Sequence, residues 1–231
     1  MNAHLLVLAK APVAGRVKTR LCPPCTPQQA ARLAAAALAD TMAAMSASHA
    51  LSRTLVLHGA YPVPAGWASR PQRGATLAER LAAAYVEGPS LLVGMDTPQL
   101  TADLVNAATD ELGRADAVLG PATDGGWWAL GLRDPAHAAV LRHIPTSTAT
   151  TGADTLEALR RLGLRVRLLP ELRDVDTIAD ARAVAELCPP RSLFATALGR
   201  TSTSGAAASA AAFARTAEAG STAAVPVEAS R

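Results

Sequence analysis

Ser90-Leu91-Leu92-Val93-Gly94-Met95 runs without a charge and stops on Asp96-Thr97-Pro98. An apolar run of this length, closed by a turn signal, reads as a strand buried on both faces, the kind found at the centre of a parallel sheet. Its surroundings agree. Leu5 to Ala9 is a second apolar run, and residues 53–58, 117–120, 127–132 and 165–170 read as further strands. Helices fall between them. Thr26-Pro27-Gln28-Gln29 is a capping box with proline in the first turn, opening a helix to about residue 47. Thr76-Leu77-Ala78-Glu79 starts another to about residue 87. Further helices are expected over 101–112, 134–142, 153–162 and from 177 to 187, whereas 59–74, with its Gly, Pro and Trp67, reads as loop. Strands alternating with helices predict an α/β fold around a mainly parallel sheet.

Half of the 231 residues are hydrophobic but only 3% are aromatic, so the core is expected to be aliphatic. One domain is expected over 1–198. From residue 199 the chain becomes Ala-, Ser-, Thr- and Gly-rich, and 199–231 reads as a disordered tail. The formal net charge of +3 comes from arginines interleaved with acids, with no basic run and no stacking aromatics, which argues against a nucleic-acid partner. No apolar run approaches the roughly 20 residues of a membrane span, so a cytoplasmic protein is expected. Cys22, Cys25 and Cys188 make an odd count. Cys22-Pro23-Pro24-Cys25 has redox-like spacing, but ordinary loop cysteines are the preferred reading.

Ligands of open α/β sheets bind beyond the carboxyl ends of the strands. Four chemically loaded segments fall there. The first, Lys10 to Leu21, holds Gly15, Arg16, Lys18 and Arg20, three cations at every second position after a turn. Lys10 and Lys18 are the only lysines of the chain; all its other positive side chains are arginines. A lysine that persists in such a background marks a place for a compact ammonium rather than a planar fork. The others are Asp96, then Asp124-Gly125-Gly126, then Asp174 and Asp176. Each acid has a plain structural use as a turn or helix cap. Together, cations from one loop and carboxylates from three others have the composition of a nucleotide-phosphate site with a magnesium-type ion. Ala14-Gly15-Arg16-Val17-Lys18-Thr19 lacks the first Gly and the Gly-Lys adjacency of a P-loop. No Gly-x-Gly-x-x-Gly and no Gly-x-Ser-x-Gly occurs, which argues against a dinucleotide site and a serine hydrolase.

The segments LAKAPVAGRVKTRL, QRGATLAERL, LLVGMDTPQL, GPATDGGWWALGL and LPELRDVDTIADA come in the order seen in the rSAM/selenodomain-associated transferase family. The chain resembles that family over about residues 5–187, and the opening and DVDT motifs are also similar to phospholactate and phosphoenolpyruvate guanylyltransferases. The resemblance implies a GT-A-like, three-layer α/β/α nucleotide-diphospho-sugar transferase fold. It implies Gly15, Arg16, Lys18 and Arg20 on the donor phosphates, and Gln72 and Gly74 near the nucleoside. Gly125 and Gly126 are expected at close approach to the ligand. Lys18, Asp96 and Asp124 are the implied catalytic residues, and Asp96 and Asp176 the implied ligands of Mg²⁺ or Mn²⁺. The chain departs from the family with Asp96-Thr97-Pro98 in place of Asp-Cys-Pro, with Trp127-Trp128, and with Thr146 after Pro145, so acceptor identity does not carry over. The expected function is metal-dependent transfer of a sugar from a nucleotide-sugar donor to a small-molecule acceptor. The alternatives are nucleotidylyl transfer from an NTP with release of pyrophosphate, and a non-catalytic nucleotide-binding protein. The sequence leaves the oligomeric state open.

Overall fold

The computed structural model describes residues 2–201; of the tail expected over 199–231, residues 199–201 are helical and the rest lies outside the described residues. Seven strands form one sheet among them, in the order β3-β2-β1-β4-β6-β5-β7. These are β1 (His4–Lys10), β2 (Ser52–His58), β3 (Ala68–Pro71), β4 (Ser90–Gly94), β5 (Ala117–Pro121), β6 (Trp127–Leu132) and β7 (Val166–Leu168). β4 sits in the middle, parallel to β1, with Leu91, Leu92 and Val93 fully buried, as an uncharged strand between two covered faces should be. Only β6 runs against the rest, pairing antiparallel with both β4 and β5.

Helices cover both faces, so the molecule has the three α/β/α layers expected. Alternate residues of the strands separate the two cores. Leu5, Val7, Leu91 and Val93 pack on one side with α1 (Pro27–Ala47) and α3 (Ala102–Arg114). Leu6, Val56, Leu92 and Leu130 pack on the other with α2 (Leu77–Ala82), the 3-10 helix Pro135–His143 and α4 (Thr151–Arg161). α1 is buried twice over. Ala34, Leu38 and Met42 face the sheet, while Ala30, Leu33 and Ala37 face α5 (Ile178–Leu187) and Phe194. A helix clamped from two sides needs small side chains, which accounts for its run of alanines.

Several local expectations are altered. Residues 68–71 are a strand rather than loop. β3 is a polar edge strand, mostly exposed, so it carries no apolar alternation by which to read it. The segment read as a helix over 134–142 is a 3-10 helix, capped by Asp134, whose carboxylate accepts from Ala136 N at 2.9 Å. α2 ends at Ala82 instead of 87, and residues 193–201 add a helical stretch after α5. Asp40, on α1, caps that stretch by accepting from the Leu193 and Phe194 amides at 3.0 and 2.9 Å. No helix among the described residues is long and apolar enough to cross a membrane.

Candidate active site

Two adjoining cavities open at the carboxyl ends of β1, β2, β4 and β5. The larger, about 720 Å³, is bounded by Lys10, Arg20, His58, Gln72 and Arg80 on one side and by Asp124, Gly126, Trp127 and the 146–151 loop on the other. The smaller, about 280 Å³, is lined by Arg16, Lys18 and Thr19, and shares Lys10, Arg20, Asp96 and Asp176 with the first. The four segments singled out in the sequence therefore converge.

Lys18 is the hinge between them. Its backbone is left-handed (φ 48°), and its side chain is only 9% exposed. Its Nζ lies 2.9 Å from Asp96 Oδ1 and 3.4 Å from Asp176 Oδ1, and donates to the Val175 carbonyl. Burial by itself would lower its pKa, but the attraction of Asp96, then of Asp176 and Asp174, outweighs that and leaves it raised. The ammonium expected on phosphate is thus held by carboxylates. Lys10, Arg16 and Arg20 reach the cavities beside it. Arg20, 74% exposed, holds the other oxygen of Asp176, Nη1 to Oδ2 at 2.8 Å.

The Asp174-Val175-Asp176 segment is sewn in by main chain. Val175 N donates to the Asp96 carbonyl at 3.0 Å, and Gln99 Nε2 donates to the Arg173 carbonyl at 2.6 Å. Upstream, Leu172 and Ala122 form an isolated parallel bridge continuing the β5 edge. The acids of two distant segments meet as a result. Asp124, Asp174 and Asp176 each offer an oxygen, and these lie within 4.8 Å of one another. Opposed ligands of Mg²⁺ are about 4 Å apart, so a small contraction would let three hard oxygens share one ion. Burial, and then the charges of Asp124 and Asp176, push the Asp174 carboxyl up to about 6, against the pull of a backbone hydrogen bond and Lys18. Crowded anions of this kind are what a divalent cation relieves. Asp96, expected among the metal ligands, stands instead on the Lys18 side of the trio, its Oδ1 against the ammonium and its side chain 40% exposed to the cleft. Asp174 was not singled out as a ligand; the only signal for it was its spacing of two from Asp176.

The glycines have structural work. A Cβ on Gly125 (φ 89°) would lie 2.0 Å from the Ala149 carbonyl oxygen, and Gly152 donates to the Gly125 carbonyl at 2.8 Å. Gly125 thus lets the β5–β6 turn press on the 146–151 loop, and it is absent from the cavity lining. Gly126 does line the cavity, and its amide donates to Asp124 Oδ1 at 2.7 Å, fixing that carboxylate. Gly74 (φ 126°) packs on Glu79 at the start of α2, while Gly15 (φ 74°) turns in open space. Gln72 lines the cleft, but its Nε2 is used on the Ala9 and Val56 carbonyls at 2.8 and 3.3 Å. Cys22, Cys25 and Cys188 are free thiols packed in the apolar cluster around Phe194. Burial pushes the Cys25 thiol up, with a further contribution from Cys22, the wrong direction for a reactive thiolate.

The 146–151 side of the cavity has a different character. Thr148 Oγ1 lies 3.2 Å from Thr150 Oγ1 and 3.1 Å from Thr151 Oγ1, and Thr151 Oγ1 donates to the Pro145 carbonyl at 2.9 Å. This hydroxyl cluster and Trp127 line the rim of the cavity beyond Asp124, and the acidic trio lies between that rim and the cations, with Lys18 and Arg20 on Asp176. Lys10, Arg20 and Arg80 all stand on the β1–β3 side. The sheet order spreads the two rims, since β5 lies three strands from β1, roughly 14 Å away, and the Asp174–Asp176 segment spans the gap between them.

The mainly parallel seven-stranded sheet with helices on both faces is an α/β fold of the kind seen in nucleotide-diphospho-sugar transferase neighbours. By sequence the chain belongs to the family described as uncharacterized proteins conserved in bacteria (DUF2064), whose model matches residues 26–148. Among solved structures it is similar to a protein provisionally named a nucleotide-diphospho-sugar transferase, from Desulfovibrio desulfuricans G20. That match has 27% identity and a TM-score of 0.75, and covers 88% of this chain and 96% of the other. It shares its fold with the 4-diphosphocytidyl-2C-methyl-D-erythritol synthase of Anaerococcus prevotii DSM 20548, at 10% identity and a TM-score of 0.53, over 80% of this chain and 98% of that one. No functionally curated protein matches the chain.

Proposed function

We propose that this protein transfers a sugar from a nucleoside-diphosphate sugar to a small hydroxyl-bearing acceptor. The asymmetry of the cleft carries the reading: cations around the smaller cavity on the β1 side, hydroxyls and an aromatic ring on the β5–β6 side, and the carboxylates between them. A phosphorylated acceptor would meet Asp124 and Asp174 while the nearest cations, Lys18 and Arg20, are already paired with Asp96 and Asp176, whereas a neutral polyol finds hydrogen-bonding partners and an aromatic face. The likeness to a protein named as a nucleotide-diphospho-sugar transferase supports the same class.

In this reading Lys10, Arg16 and Arg20 bind the donor diphosphate, Lys18 stiffens the loop that carries them, and Gln72 borders the nucleoside. The acceptor oxygen forms a bond to the anomeric carbon as the bond from that carbon to the diphosphate oxygen breaks, and the nucleoside diphosphate leaves. The hydroxyl proton passes to a carboxylate; Asp124, the exposed member of the trio on the acceptor side, is our candidate. Asp174 and Asp176, with Asp124 or Asp96, would hold Mg²⁺ or Mn²⁺, which when bound stabilises charge on the departing diphosphate.

A second reading, nucleotidylyl transfer, draws on the number of cations around the smaller cavity, which suits a triphosphate. Incubation with panels of nucleotide sugars and NTPs plus Mg²⁺ or Mn²⁺ separates the two. Release of a nucleoside diphosphate from a sugar nucleotide is expected. Pyrophosphate from an NTP would replace this reading with the second, and binding without either product would leave a nucleotide-binding protein. Asp96→Asn should lower turnover by about a hundredfold or more and also lower the thermal midpoint, since buried Lys18 loses its nearest counter-charge, without abolishing cooperative unfolding; unchanged turnover would remove Asp96 from the site.

A further inference from the structure

We infer that Arg20 couples donor and metal: in the nucleotide-free protein its guanidinium sits on Asp176 and weakens the metal site, and a polyphosphate draws it away. The inference rests on the reading of Asp176 as a metal ligand given above. Both oxygens of Asp176 are engaged by cations, Oδ1 by Lys18 at 3.4 Å and Oδ2 by Arg20 at 2.8 Å. The two cations differ in freedom. Lys18 is buried and tied to Asp96 and the Val175 carbonyl, so it stays. Arg20 is 74% exposed, is the middle residue of the 3-10 turn Thr19–Leu21, and lines both cavities. Its long side chain can turn from Asp176 to a phosphate without backbone movement.

The energetics favour that exchange. An exposed guanidinium–carboxylate pair is weak in water, while phosphate offers a guanidinium two oxygens and more negative charge. Once Arg20 has left, Asp176 Oδ2 is free to join Asp124 and Asp174, and the local charge falls by one unit, so a divalent cation binds more tightly. Coupling of this kind is reciprocal, so metal tightens nucleotide binding by the same factor. Arg20 is therefore a positioning residue for the metal as well as a phosphate contact.

The test is Mn²⁺ binding to the full chain without nucleotide, followed by electron paramagnetic resonance of free Mn²⁺, in wild type, Arg20→Ala and Arg16→Ala. Arg16 sits on the same loop and lines the smaller cavity, so its removal reports the change in field alone. Arg20→Ala should bind Mn²⁺ about fivefold or more tightly than wild type, and Arg16→Ala much less so. An Arg20→Ala affinity equal to or weaker than wild type, or an equal gain in Arg16→Ala, overturns the coupling and leaves the transferase reading standing. Absence of saturable Mn²⁺ binding in all three proteins overturns the metal reading itself, and the coupling with it.

Discussion

A non-glycine residue in the left-handed region costs on the order of 1 kcal/mol or more, and Lys18 accepts that conformation at φ 48° because its ammonium is held from three directions. A guanidinium is wider and planar, and cannot bring one nitrogen to all three oxygens from the same backbone. Lys18→Arg should therefore weaken donor binding about tenfold despite its conserved charge, through loss of loop order. Isothermal titration with the nucleotide found active would show it, and a wild-type affinity would reduce the lysine pattern to composition. The sequence pointed at Lys18 through the scarcity of lysine in the chain. Its partners were not legible as partners, because Asp176 lies 158 residues away and only the folded sheet brings the two together.

Among the elements, the β5–β6 hairpin shows how a local signal can be right in place and different in meaning. Two glycines after Asp124 suggested close approach to a ligand. The close approach is real, but Gly125 approaches the Ala149 carbonyl. Gly125→Ala would combine a positive φ with a 2.0 Å clash against backbone, and should destabilise by about 2 kcal/mol or more. Gly126→Ala, which meets only the Asp124 carboxylate at 3.0 Å, should cost less. Urea denaturation of both variants compares them, and equal midpoints would contradict the packing described. Capped helices such as α1 and the apolar strands β1 and β4 were readable because caps and hydrophobic runs are local. β3 was not, since an exposed edge strand takes its order from the neighbouring β2, not from its own side chains.

For the molecule as a whole, the acidic trio should link stability, pH and metal. Asp174 titrates near 6 in the fold against 3.8 in its ordinary state, so the folded protein holds that proton more tightly. The stability it contributes is complete below about pH 4 and is lost as pH rises through about 6. A divalent cation takes over the proton's role above that range. Mn²⁺ should consequently raise the thermal midpoint strongly at pH 7.5 and little at pH 5, and Asp174→Asn should abolish the difference. Scanning fluorimetry at the two pH values measures it; an equal Mn²⁺ shift at both would sink the assignment of Asp174.

The order of apolar runs, caps and turns along the chain determined the α/β class, the placing of β4 at the centre and the set of segments at the carboxyl ends, because each depends on residues adjacent in sequence. Only the tertiary structure decided which charges meet. The sheet order β3-β2-β1-β4-β6-β5-β7 sets the cationic loop at one rim and the hydroxyls at the other, and the Leu172–Ala122 bridge carries Asp174 and Asp176 between them to Asp124. Lys18 and Arg20 then claim Asp176, a pairing that no spacing in the chain announces, since ion pairs form by distance in space and not along the backbone.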